Sequence, residues 1–88
     1  AGSIRFEVRK KLEDFDFYKD DFENYQDIED RVIGGITFQG RTYKYIGYEW
    51  IEYIAQIDDT RALSIGLRNM DCVQGTMPDI ILTNMKFQ

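Results

Sequence analysis

Apolar and charged residues alternate along Ile4-Arg5-Phe6-Glu7-Val8-Arg9, the period of a strand with one buried face. From Phe15 the spacing lengthens. Phe15, Tyr18, Phe22, Tyr25, Ile28 and Val32 recur every three or four residues with acids between them. This predicts an amphipathic helix over roughly 17–31, with acids in its first turn suiting the helix dipole and Gly34-Gly35 ending it. Ile36-Thr37-Phe38 and Thr42-Tyr43-Lys44-Tyr45-Ile46 read as two strands of a hairpin turning at Gln39-Gly40-Arg41. Residues 48–58 are open to two readings. Their β-branched and aromatic content suits a strand, which is preferred, whereas Trp50, Ile51, Ile54 and Ile57 also form a helical stripe. Asp58-Asp59-Thr60 is a turn, and Leu63, Ile65 and Leu67 share one face of the strand that follows. A loop is expected over 71–78, with Gly75 and Pro78, and a last strand over 79–87.

These elements predict an α+β, mainly β domain. It has one amphipathic helix near the N-terminus and about five strands in a small, strongly bent antiparallel sheet or barrel. The 88 residues show no repeat and fit one domain. Ala1-Gly2-Ser3 resembles a cloning scar, so residues 4–88 are expected to be a domain excised from a larger protein. A chain this short buries only ~60–65 % of its unfolded surface. Six Tyr, six Phe and one Trp compensate, because each supplies a large apolar area.

Charge changes the picture. The net charge of −5 is unevenly spread. Residues 4–12 are locally +3, residues 13–30 carry nine acids against Lys19, and the remainder is balanced. The acidic block opposes duplex nucleic acid, whose phosphates demand positive charge, and suits a basic partner or simply a solvated face. Absence of an apolar run of ~18 residues removes a transmembrane helix. A lone cysteine, Cys72, cannot form an intrachain disulfide, which points to an intracellular, cytoplasmic setting.

Candidate chemistry is sparse. Without histidine the chain lacks the commonest general base and metal ligand. Asp14-Phe15-Asp16 begins like a calcium loop, but Lys19 stands where that loop needs glycine and Tyr25 where it needs glutamate. No glycine-rich phosphate loop is present. Ser64 reads as a surface or cross-strand hydroxyl. Cys72, next to Asp71, reads as a small buried side chain rather than a reactive thiolate. No catalytic residue, metal or cofactor is expected.

The aromatic run Tyr43, Tyr45, Tyr48, Trp50 and Tyr53 remains. Alternation puts Tyr43 and Tyr45 on one strand face and Tyr48 and Trp50 on the other. Exposed members would anchor a partner, and with Glu49 and Glu52 nearby would hold a Lys or Arg side chain. Ordinary packing accounts for the same residues.

Ile57-Asp58-Asp59, a turn, and Leu63-Ser64-Ile65-Gly66-Leu67-Arg68-Asn69-Met70 resemble the first Sm motif. Gly75-Thr76 and Asp79-Ile80-Ile81-Leu82 resemble the closing loop and last strand of divergent Sm-like domains in mRNA-decapping factors. The resemblance spans roughly residues 45–87. It departs where Glu52 or Tyr53 replaces a glycine, and where Ala62 or Leu63 replaces the asparagine that holds RNA bases. It implies a small β-barrel that binds short peptides of partner proteins.

The functional expectation is therefore a non-enzymatic protein–protein interaction module. The aromatic set would serve as one surface. Asp20, Asp21, Glu23, Asp27, Glu29 and Asp30 would form a second, on the acidic helix face. The alternatives are an acidic inhibitor that mimics nucleic acid and an Sm-like RNA-associated subunit. They differ in salt dependence.

Overall fold

A computed structural model of the chain describes residues 3–68. The expected loop over 71–78, the last strand, Cys72 and the second half of the Sm-like resemblance lie outside them. Five strands run in the order β1 (Ser3–Arg9), β2 (Glu23–Ile33), β3 (Ile36–Tyr45), β4 (Tyr48–Asp58) and β5 (Arg61–Arg68). Two 3-10 turns, Leu12–Asp16 and Lys19–Asp21, lie between β1 and β2. All neighbours are antiparallel, and the spatial order is β1-β5-β4-β3-β2. Among the described residues the sheet is open, not a closed barrel, with β1 and β2 at its two edges.

The helix expected over 17–31 is not formed; most of that segment is β2. Two register shifts in β2, between Glu23 and Gln26 and between Ile28 and Arg31, account for the misleading pattern. The second bulge inserts an extra residue, so Ile28 and Arg31, three apart, both face the apolar cluster, while Tyr25 faces the strap beside Phe22 and Arg41. Tyr25, Ile28 and Arg31 are the half-buried ones. Asn24 marks the first irregularity with φ 54°, a left-handed conformation that asparagine tolerates. Gly34 and Gly35, at φ 59° and 82°, turn a two-residue hairpin between paired Ile33 and Ile36 rather than ending a helix.

The hairpin turn expected at Gln39-Gly40-Arg41 is also absent. Those residues lie in mid-β3, and the chain turns at Ile46-Gly47, both at positive φ. Gly40 serves close approach instead. A Cβ there would meet Ile28 Cγ1 at 2.7 Å and the Glu29 carbonyl oxygen at 2.8 Å. Residues 48–58 are a strand, as preferred, and Asp59-Thr60 turns into β5.

One sheet face is apolar. Ile33, Phe38, Tyr53, Ala55, Ile65 and Leu67 form its buried cluster. Full burial of a side chain such as Phe38 or Ile65 contributes about 1.5–3 kcal/mol. The other face is crossed by residues 10–22, because the link from β1 to β2 must pass from one edge of the sheet to the other. Leu12 and Phe15 of this strap pack on Ile54 and Ala62. Gln56 ties it down at one end. Its Oε1 accepts the Leu12 N–H at 2.9 Å, and its Nε2 donates to the Lys10 carbonyl at 3.0 Å.

Candidate functional site

Arg41, Glu52 and Ser64 point to the strap-covered face from β3, β4 and β5, and all three are buried. Glu52 stands on the central strand. Its Oε1 accepts from Arg41 Nε at 2.7 Å and its Oε2 from the Ser64 hydroxyl at 2.5 Å, a charge-assisted length. Arg41 uses its remaining nitrogens on the strap. Nη1 donates to Asp16 Oδ1 at 2.6 Å and Nη2 to the Phe15 carbonyl at 3.0 Å. Burial opposes the Arg41 charge, but Glu52 and Asp16 outweigh it, so its pKa moves up. Burial, and then Glu52, push the neighbouring Tyr43 hydroxyl well above the usual phenol range. The Ser64 side chain is therefore a buried partner of Glu52, the cross-strand hydroxyl and not the surface one of the two readings the sequence left open.

Trp50 lies beside this network. Arg5 sits 4.4 Å over its ring and Arg68 5.8 Å away. Gly66 leaves room for the stack, since a Cβ there would lie 3.3 Å from the indole. Arg5 also pairs with Glu7 at 2.9 Å and approaches Glu52 at 3.9 Å.

Beyond Arg41 the face becomes aromatic. Phe22 stacks on Tyr43 with centroids 3.8 Å apart and meets Tyr45 edge-on at 5.6 Å. Tyr45 adjoins Tyr18 at 6.0 Å, and Tyr18 adjoins Phe17 at 4.8 Å. Between strap and sheet lies an open cleft of about 640 Å³. Phe17, Tyr18, Phe22, Tyr43 and Tyr45 line one side, and Arg5, Glu7 and Arg9 the other. Glu13, Asp14 and Asp16 of the strap contribute carboxylates, and Glu52 reaches the floor. Arg41 pairs with Asp16 and Glu52, and Arg5 and Arg9 with Glu7, so the five acids exceed these three arginines by two, with Glu13 and Asp14 outside the ion pairs of the described residues.

The structure divides the sequence-derived candidates. Tyr43 and Tyr45 line the cleft, while Trp50 is buried beside it under Arg5. Tyr48 is exposed and covered by Arg68 at 4.4 Å. Tyr53 lies on the opposite face, in the apolar cluster. Tyr43 and Tyr45 do not face away from Tyr48 and Trp50. The two-residue turn pairs Tyr45 with Tyr48 and Tyr43 with Trp50, placing all four on one face. Of the acids, Asp20 and Asp21 occupy the second 3-10 turn. Glu23, Asp27, Glu29 and Asp30 lie along β2, all exposed and none on a helix. Asp27 accepts a hydrogen bond from the Tyr25 hydroxyl at 3.0 Å.

Sequence reasoning missed the strap residues Phe17, Tyr18 and Phe22 as a cleft wall, and Arg41 and Glu52 as its support. Their common signal was available only through register, which sets residues 11 apart in sequence side by side. Among the described residues no group of Cys, Asp and Glu side chains could hold a metal ion, and no helix is long and apolar enough to cross a membrane. No protein-family model, no curated protein and no solved structure matches this chain.

Proposed function

We propose that this domain is a non-enzymatic protein-interaction module that binds a positively charged peptide segment in the cleft beneath its strap. The supporting observation is the joint lining: a run of aromatic rings on one wall and an excess of carboxylates around it. Rings supply contact area at low cost in side-chain entropy, and carboxylates select a basic sequence. The exposed acids of β2 and of the turn before it extend the negative field beyond the cleft and speed the encounter. Buried Glu52 and Ser64 serve the same end as supports, since Arg41 and Glu52 fix the strap that forms the wall.

Selection of random peptides displayed on phage, first on the wild type and then on Tyr18→Ala and Tyr45→Ala variants, tests this. Basic peptides whose affinity falls in both variants are expected. Peptides that bind all three proteins equally would place recognition elsewhere.

The exposure of Asp20, Asp21, Glu23, Asp27, Glu29 and Asp30 favours one second reading, an acidic surface that occupies the nucleic-acid site of a basic protein. Binding of that kind falls steeply with salt and ignores Tyr18→Ala, which separates it from cleft recognition.

A further inference from the structure

Rings and cations alternate on the strap-covered face. Arg5 covers Trp50 at 4.4 Å, Arg68 covers Tyr48 at 4.4 Å, and Lys19 covers Tyr25 at 4.7 Å. Arg41 stands 5.6 Å from the Phe22 ring centre and 5.7 Å from that of Tyr43. Three neighbouring cleft rings break the alternation. Phe17, Tyr18 and Tyr45 touch in series, yet among the described residues none has a cation over it. They are also where the face is open, with Phe17 81 % and Tyr18 54 % exposed.

The carboxylates nearby are underused. Glu13 forms no ion pair among the described residues, and Arg41 engages only Oδ1 of Asp16. Among the described residues, exposed rings and available carboxylates thus meet here. Uncovered aromatic surface of this kind is costly to leave in water, and carboxylates beside it raise the gain from a cation over that from an apolar group.

We infer that Phe17, Tyr18 and Tyr45 receive an arginine side chain of the bound peptide, with Glu13 and Asp16 compensating its charge. Arginine fits better than lysine. A planar, weakly hydrated guanidinium stacks on a ring, whereas an ammonium holds its water. Among the described residues the fold places an arginine by each of the rings Trp50, Tyr48, Phe22, Tyr43 and Tyr25 on this face, and Lys19 joins Arg41 only at Tyr25. A trimethylammonium group is disfavoured, since its recognition calls for rings boxed around it. Phe17 and Tyr18 meet at 84° and Tyr18 and Tyr45 at 38°, as a bent wall with one open side.

This inference rests on the cleft being the peptide site, and the experiment separates the two. Peptides selected as above are resynthesised with each arginine replaced in turn by citrulline, a neutral isostere, and by lysine. Affinities are measured by isothermal titration on the wild type and on Tyr18→Ala, a position exposed enough for the fold to survive. One arginine is expected to be decisive. Its citrulline form should bind about tenfold more weakly to the wild type, with the lysine form in between. On Tyr18→Ala the arginine and citrulline forms should converge. Peptides that need the cleft but bind equally with citrulline would overturn the arginine pocket and leave the module intact. Failure to select any peptide sensitive to Tyr18→Ala or Tyr45→Ala would overturn both.

Discussion

Replacing Arg41 by methionine should destabilise this domain more than the loss of any exposed ion pair. Arg41 and Glu52 are each only 3 % exposed. Without Arg41 the Glu52 carboxylate keeps Ser64, while its other cation, Arg5, stands off at 3.9 Å. Breaking a buried pair in this way costs about 3–5 kcal/mol, because an uncompensated charge stays out of water. A domain of this length has a total stability of about 4–13 kcal/mol. With a urea slope of ~1–1.5 kcal/mol/M, the midpoint should fall by about 2–5 M. The single tryptophan, Trp50, is buried between Arg5 and Arg68, so its fluorescence reports unfolding directly. The double variant Arg41→Met/Glu52→Gln is the decisive control. Its amide retains a partner for Ser64 but carries no charge, so it should recover at least ~1.5 kcal/mol over the single variant. Asp16, half exposed, regains water when Arg41 is lost and adds little. If the double variant is no more stable than Arg41→Met, the buried charge is not the source of the loss and the reasoning is refuted.

Three further outcomes follow from the backbone and its turns. Gly40→Ala forces a Cβ against Ile28 and the Glu29 carbonyl, and should cost about 1–3 kcal/mol, read as a lower thermal midpoint; an unchanged midpoint would show that β2 yields there. Ile46 is β-branched, held at φ 49° and 75 % exposed, so Ile46→Asn should stabilise by about 1 kcal/mol and raise Tm by roughly 4–8 °C. A drop in Tm would indicate that Ile46 packs on something that holds the turn. Asp58 accepts from the Thr60 N–H at 3.0 Å and pairs with Arg61 at 2.7 Å; Arg61, then Thr60, hold its carboxyl at about 2. Because that lies below the unfolded value of ~3.9, the contribution is complete above about pH 4 and is lost as pH falls through about 2. Acid titration of Tm should therefore fall less steeply for Asp58→Asn than for wild type over that window, and parallel curves would dismiss the role of the turn.

Strand content in the second half of the described chain was partly legible: Leu63, Ile65 and Leu67 alternate along β5, and β-branched and aromatic residues favour a strand over 48–58, although β4 is buried on both faces and carries a register shift between Gln56 and Asp58. In the first half β1 was legible and β2 was not. A bulge between Ile28 and Arg31, and a change of face between Tyr25 and Ile28, gave β2 half-buried residues three apart, which in sequence is indistinguishable from one face of a helix. Gly40 was read as turn chemistry although its role is to let β2 and Tyr53 approach, and Ile46-Gly47 carried the turn without the usual asparagine. The aromatic residues of the cleft were partly visible: Tyr43 and Tyr45 stood out, but their wall partners Tyr18 and Phe22 had been assigned to the helix stripe. Arg41 and Glu52 were invisible as a pair. Nothing local marks a charge that will be buried by a cross-strand neighbour and a strap arriving from residues 10–22.

The irregular strand β2 also bears on edge-to-edge pairing between copies of this chain. Being outermost in the described sheet, it would offer its free N–H and C=O groups to a second molecule. Its two bulges break the straight ladder that such pairing requires. Glu23, Asp27, Glu29 and Asp30 would be brought up against the same acids of the other copy, and like charges facing each other across strands repel. Aggregation through this edge is thus opposed twice, once by shape and once by charge. Acid neutralises only the second barrier, so at low pH the bulges alone keep the edge from serving as a template.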